Sequence, residues 1–191
     1  MIGKSMNNIE AAGNYPRPKA GGYVIQITEV SNDKTRERLE IEFDFYEGEF
    51  KGYYSEQKAR LGYTIGKFTK SYKDNALPFF RAFLEAVVAS NKDTSNLIVG
   101  DYDDVDETQL PGKLVGMVVG ERRYIGIDGQ EKQNIDIYKA TFIAVDDIRA
   151  GNFTVPELRV ADELQNRPAP EVVDMSAPVD GFTPDLSEPP F

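Results

Sequence analysis

The chain has 191 residues, enough for one domain with a proper core and an appendage. It holds no cysteine and no histidine, which excludes disulfides, thiol nucleophiles, Cys/His zinc sites and a histidine general base. With 32 acids against 22 bases the net charge is −10, the wrong sign for a nucleic-acid binder unless that charge is unevenly spread.

The opening MIGKSMNNIEAAGNYP carries no apolar run like that of a secretory leader, and no later stretch approaches a membrane span in length. Residues 1–20 read as an N-terminal arm on a cytoplasmic protein without membrane contact. The missing disulfide framework fits a reducing compartment. Residues 22–30 (GYVIQITEV) and 38–46 (RLEIEFDFY) predict two strands joined by the polar turn SNDKTRE. The second alternates, with Leu39, Ile41, Phe43 and Phe45 on one face and Glu40, Glu42 and Asp44 on the other, the pattern of a half-buried antiparallel strand. After a long connection containing Gly and Tyr, residues 67–73 (KFTKSYK) predict a third strand.

The period then changes. In DNALPFFRAFLEAVVASN, residues Leu77, Phe80, Phe83, Leu84, Val87 and Val88 follow helical spacing, with Asp74 or Asn75 as cap and Pro78 in the first turn. Arg81 and Glu85 stand at i,i+4 on the polar side. The acidic run DYDDVDE (101–107) lacks the glycine and ligand spacing of a calcium loop and reads as solvated. Strands resume at 113–119 (KLVGMVV) and continue through ERRYIGI to a hairpin turn at Asp128-Gly129. The return strand is expected over 134–145, and DDIRAG and NFTVPEL close the domain. Three strands, a helix and a long hairpin predict a mainly β protein: a five-stranded OB-fold, or Greek-key barrel, over residues 21–160, with its helix between strands three and four.

Residues 51–73 stand out in this acidic chain. They hold Lys51, Lys58, Arg60, Lys67, Lys70 and Lys73 against Glu56 alone, interleaved with Tyr53, Tyr54, Tyr63, Phe68 and Tyr72. Cations follow phosphates, and flat rings stack on bases of any sequence, so the stretch predicts a single-stranded nucleic-acid groove. A second basic-aromatic patch, Arg122, Arg123 and Tyr124 with Lys132, Tyr138 and Lys139, lies on the hairpin. Against this, Glu40, Glu42 and Asp44 point outward from strand two, where OB-folds usually bind. Either lysines neutralise them, or the nucleic acid lies toward strand three and the hairpin. No phosphate-binding loop is present, and no strand-borne carboxylate set marks a magnesium-dependent nuclease. The expectation is therefore no catalytic residue, no metal and no cofactor.

The runs PKAGGYVIQITEV, EGEFKGYY, SYKDNALPFFRAF and VPEL resemble a group of phage and prophage proteins of Gram-positive bacteria, over most of residues 16–158. The resemblance implies single-stranded-DNA binding in replication or recombination.

Residues 161–191 carry seven acids against Arg167, a balance of −6 that leaves −4 for the first 160 residues, and six of the eleven prolines. Such composition predicts a disordered acidic tail. It resembles the tail of bacterial single-stranded-DNA-binding proteins, which ends in Pro-Phe and docks partner enzymes. Asp185, Leu186, Glu188, Pro190 and Phe191 match, while Pro189 replaces the aliphatic residue often found there. The resemblance implies replication or recombination proteins as partners, with the Phe191 ring and carboxylate captured together. The reading admits a homo-oligomer. Its rivals are an acidic interaction or DNA-mimic module without DNA affinity, and a magnesium-dependent nuclease.

Overall fold

The computed structural model describes residues 16–63, 65–99 and 104–161. The N-terminal arm up to residue 15 and the acidic stretch from residue 162 on, with Asp185, Leu186, Glu188, Pro190 and Phe191, lie outside the described residues.

Strand β1 (Gly21–Asp33) is long because it serves two neighbours. Its C-terminal part pairs with β2 (Arg38–Phe45), from Ile25 opposite Phe45 to Asp33 opposite Arg38. The register shifts between Ile27 and Glu29, and such a bulge bends the strand and increases its twist. The alternation of β2 is kept: Leu39, Ile41, Phe43 and Phe45 are all buried.

The connection after β2, expected to be irregular, contains a helix, α1 (Tyr53–Leu61). Gly52 and Gly62 bracket it at φ 77° and 79°, left-handed positions that glycine takes without steric cost. Its first-turn N–H groups find their acceptor outside the helix. Asp44 does not face solvent as expected but turns inward, and its carboxylate accepts from the N–H groups of Phe45, Tyr54 and Ser55 at 2.8–2.9 Å.

Strand β3 (Lys67–Ser71) pairs with β2, and α2 (Leu77–Ser90) follows. Phe80, Phe83, Leu84, Ala86 and Val87 bury the apolar stripe of α2, and Arg81 Nε meets Glu85 at 2.9 Å. The expected cap is replaced: residues Asp74–Ala76 form a 3-10 turn leading into the helix, and no side chain caps it. A short antiparallel pair, β4 (Ile98–Val99) and β5 (Asp104–Val105), precedes β6 (Leu114–Val119), which pairs with the first part of β1.

The hairpin is β7 (Glu121–Ile125) and β8 (Glu131–Ile135). The return strand is not continuous. A 3-10 turn at Ile137–Lys139 breaks it, and β9 (Thr141–Ile143) resumes beside β6. The break is pinned by Asp136, which is buried, donates its N–H to Gly120 O and meets Arg159 at 3.0 Å. The hairpin therefore leaves the barrel and forms a second sheet with β10 (Arg159–Val160), which runs parallel to β7. Between β9 and β10, α3 (Val145–Ala150) packs Ile148 onto Gly116, where a Cβ would lie 2.6 Å from Ile148 Cγ1.

The result is a strongly curled five-stranded antiparallel sheet, ordered β3-β2-β1-β6-β9, with α2 between its third and fourth strands. That is the OB-like half-barrel the sequence predicts. Its open seam, between β3 and β9, is bridged by side chains: the rings of Phe68 and Phe142 are centred 4.8 Å apart.

Candidate nucleic-acid interface

The basic-aromatic stretch is divided by the fold. Tyr54 and Phe68, both expected to stack on bases, are only 5 % and 3 % exposed. Phe68 stands opposite Ile41 on β3 and so faces inward, against Phe43, Phe83 and Phe142. Tyr54, on the inner side of α1, stacks on Phe45 at 5.3 Å, and burial raises its phenol pKa. Phe68 offers no face to a ligand, and Tyr54, though buried, borders the cleft between α1 and the hairpin.

Lys70 is also corrected. It stands opposite Leu39 and points inward, its ammonium 4.2 Å from the centre of the Phe142 ring. Burial pushes its pKa down to about 8, and its ammonium lies over the Phe83 and Phe142 rings at the barrel seam rather than on the outer surface. Tyr72 is half-buried beside Phe80 and donates its hydroxyl to Asn32 Oδ1 at 2.8 Å. It walls a cavity of about 990 Å3 at the far end of β1, away from the other candidates. Lys51, Tyr63, Lys67 and Lys73 are exposed.

The carboxylates of β2 are neutralised within the protein. Glu40 meets Arg38 at 2.6 Å, and Glu42 meets Lys58 at 2.9 Å. Lys58 and Arg38 are thereby occupied, and Asp44 is committed to α1.

Three of the remaining candidates, Tyr53, Arg60 and Tyr124, converge, whereas Lys51, Tyr63, Lys67, Lys73 and Arg122 do not line the same concavity. A cleft of about 1130 Å3 runs between α1 and the hairpin. From α1 it receives Tyr53, Gln57, Arg60 and Leu61, and from the hairpin Tyr124, Lys132 and Asn134, with Arg17 also lining it. Alternation on β7 puts Arg122 and Tyr124 on one face and Arg123 on the other, where Arg123 meets Glu131 at 3.0 Å. The Arg122 guanidinium lies 5.6 Å from the centre of the Tyr124 ring. Its Nε is buried and has no hydrogen-bond partner among the described residues. The Tyr124 hydroxyl accepts from Asn134 Nδ2 at 2.8 Å, which fixes the ring, and Lys132 meets Asp128 at 2.9 Å. Two cations and two rings from segments about 70 residues apart in the chain thus face one concavity.

Gln57, Asn134, Arg17 and Arg159 belong to this neighbourhood and are absent from the sequence-based set. Arg159 stands beside Arg122 through the parallel β10–β7 pairing, a long-range contact with no local signature. Of the run DYDDVDE, Asp104–Glu107 is described; Asp106 caps a 3-10 turn by accepting from Thr108 N. Among the described residues no three His, Cys, Asp or Glu gather as a metal site, and no helix is long and apolar enough to cross a membrane. A scan against protein-family models finds none that matches the chain, and a search of curated proteins finds no match either.

Proposed function

We propose that this protein binds single-stranded DNA, without catalysis, in the cleft between α1 and the β7–β8 hairpin. The observation that carries the reading is the meeting there of two basic-aromatic patches that are remote in sequence. Tyr53 and Tyr124 are the stacking rings. Arg17 and Arg60 track the phosphates, with Lys51 and Lys67 as further exposed cations. Contacts of this kind tolerate any sequence. The self-paired outer face of β2 removes the carboxylates that would otherwise oppose a polyanion. In this reading the acidic residues beyond Ala161 recruit replication or recombination enzymes.

Titration with an oligothymidine tests it. The chain has ten tyrosines and no tryptophan, so quenching of tyrosine emission reports ring contact directly. With about four to six phosphates engaged, log K against log salt should fall with a slope near −3 to −4, at roughly −0.7 per phosphate. Absence of both quenching and a mobility shift at low salt would sink the proposal.

A further inference from the structure

Five consecutive residues of β8, Glu131 to Ile135, line the cleft. A strand presenting one face would contribute alternate residues, so a consecutive run means that the cleft follows the strand's edge. β8 is the terminal strand of its sheet, and no strand pairs with its outer edge among the described residues. The register fixes which main-chain groups that edge displays. Gly126 N–H donates to Gln130 O at 2.8 Å, and Asp136 N–H to Gly120 O at 2.9 Å. The pairs Arg122–Asn134 and Tyr124–Lys132 are therefore the hydrogen-bonded ones. The N–H and C=O groups of Glu131, Gln133 and Ile135 point away from β7, into the cleft. The side-chain amide of Gln57, also lining the cleft, makes no hydrogen bond to another described residue.

Resting on the single-strand reading of the cleft, we infer that the open edge of β8 recognises the Watson–Crick edges of unpaired bases. Every base carries neighbouring donors and acceptors on that edge, and an open strand offers N–H and C=O groups along its length. A base held on Tyr53 or Tyr124 can meet them whatever its identity. In a duplex the same groups are already paired, so the cleft discriminates single from double strands without reading sequence. An extended peptide also adds to open strand edges. Here the surrounding Arg17, Arg60 and Lys132 and the two rings suit a phosphate-linked chain of bases.

The test compares oligothymidine with an oligomer of N3-methylthymidine of equal length, which keeps phosphates and rings but blocks the imide edge. The full chain should bind the methylated strand about 2- to 10-fold more weakly, the worth of one lost hydrogen bond or slightly more, with the same salt slope. A second arm uses Gln133→Pro, which removes one edge-facing N–H while leaving the ladder to β7 intact. Gln133→Ala controls for the side chain, which donates to Glu121. Q133P should lose about 2- to 10-fold on oligothymidine and little more on the methylated strand, whereas Q133A stays near wild type. Equal affinity of the wild-type protein for both strands overturns the inference yet leaves single-strand binding standing. Binding to neither strand removes the underlying reading as well. Should Q133P not fold, the two-strand comparison on the wild-type chain decides alone. An edge that takes up an extended peptide but shows no difference between the two strands belongs to a protein partner, and the inference is wrong.

Discussion

The outer face of the β1–β2–β3 sheet and the cleft between α1 and β8 both gather charge, but they use it differently. On the outer face Glu29 stands opposite Glu42, Ser31 opposite Glu40 and Asp33 opposite Arg38, with Lys67 and Thr69 continuing onto β3. Its cations are spent internally: Lys58 on Glu42, Arg38 on Glu40. No aromatic residue stands at these outward positions. The cleft has fewer charges and two rings, Tyr53 and Tyr124. A cation already paired within the protein has little left for a phosphate, so the number of lysines in a stretch is a poor guide to where a polyanion lies. Pairing state and ring exposure are better guides.

The sharpest way to test this contrast is to remove rings from both sides of the division. Tyr54→Ala empties a core position and should destabilise the fold by about 3–5 kcal/mol, the range for large aromatics, read as a large fall in Tm. Tyr53→Ala and Tyr124→Ala should each cost about 1–3 kcal/mol of oligothymidine binding. Tm should hardly change for Tyr124→Ala. It should fall for Tyr53→Ala, though less than for Tyr54→Ala, because Tyr53 packs on Phe45 and Phe50. Loss of binding by neither variant would move the groove out of the cleft.

Lys70 gives a smaller, pH-dependent effect. Its folded-state pKa, about 8, lies below the ordinary 10.5, so between those values the unfolded chain holds the proton that the folded chain has shed. Stability from this group therefore rises with pH across that window, and the burial penalty is complete below it. Lys70→Met should melt a few degrees above wild type at pH 7, and the gap should close toward pH 10. A gap that does not change with pH would show that Lys70 is not desolvated. The smallest effect belongs to Glu42→Gln, which leaves Lys58 only the weaker partner Glu29, 3.9 Å away. The pair is exposed and screened by solvent, so Tm should hardly move. Oligothymidine affinity should also stay within about twofold if DNA avoids the outer face. A large gain in affinity would return the outer face to the binding surface.

Much of the barrel is legible in the sequence because alternation and helical spacing are local. β2 and α2 announce themselves through Leu39–Phe45 and Leu77–Val88. The helix α1 does not, since it buries only Tyr54 and its cap, Asp44, sits ten residues earlier on another element. Among the site residues, Lys67 and Lys70 are the same residue type three positions apart on one strand, which places them on opposite faces. Only the pairing of β3 with β2 reveals which of the two is lost to solvent. Tyr53 and Tyr54 differ less sharply: both border the cleft and pack on Phe45, but Tyr54 is buried and Tyr53 half-buried. The break at Asp136 was hidden because Ile135 and Ile137 continue the apolar alternation straight through it. What the sequence could offer was two basic-aromatic patches; their meeting depends on tertiary contacts.

The shared strand β1 also sets a timetable for folding. One edge closes onto β2 across a four-residue turn, an event of about 1–10 μs. The other edge waits for β6, and Gly21 pairs with Val119, nearly a hundred residues further on. During synthesis at about 5–20 residues per second, the segment GGYVIQ stays bare for several seconds after its hairpin has formed. It is uncharged and carries Tyr23, Val24 and Ile25, and its unpaired edge is open to another strand. The nascent barrel is thus most vulnerable to misassembly not at its beginning but in this interval, while α2 is emerging and β6 has yet to be made.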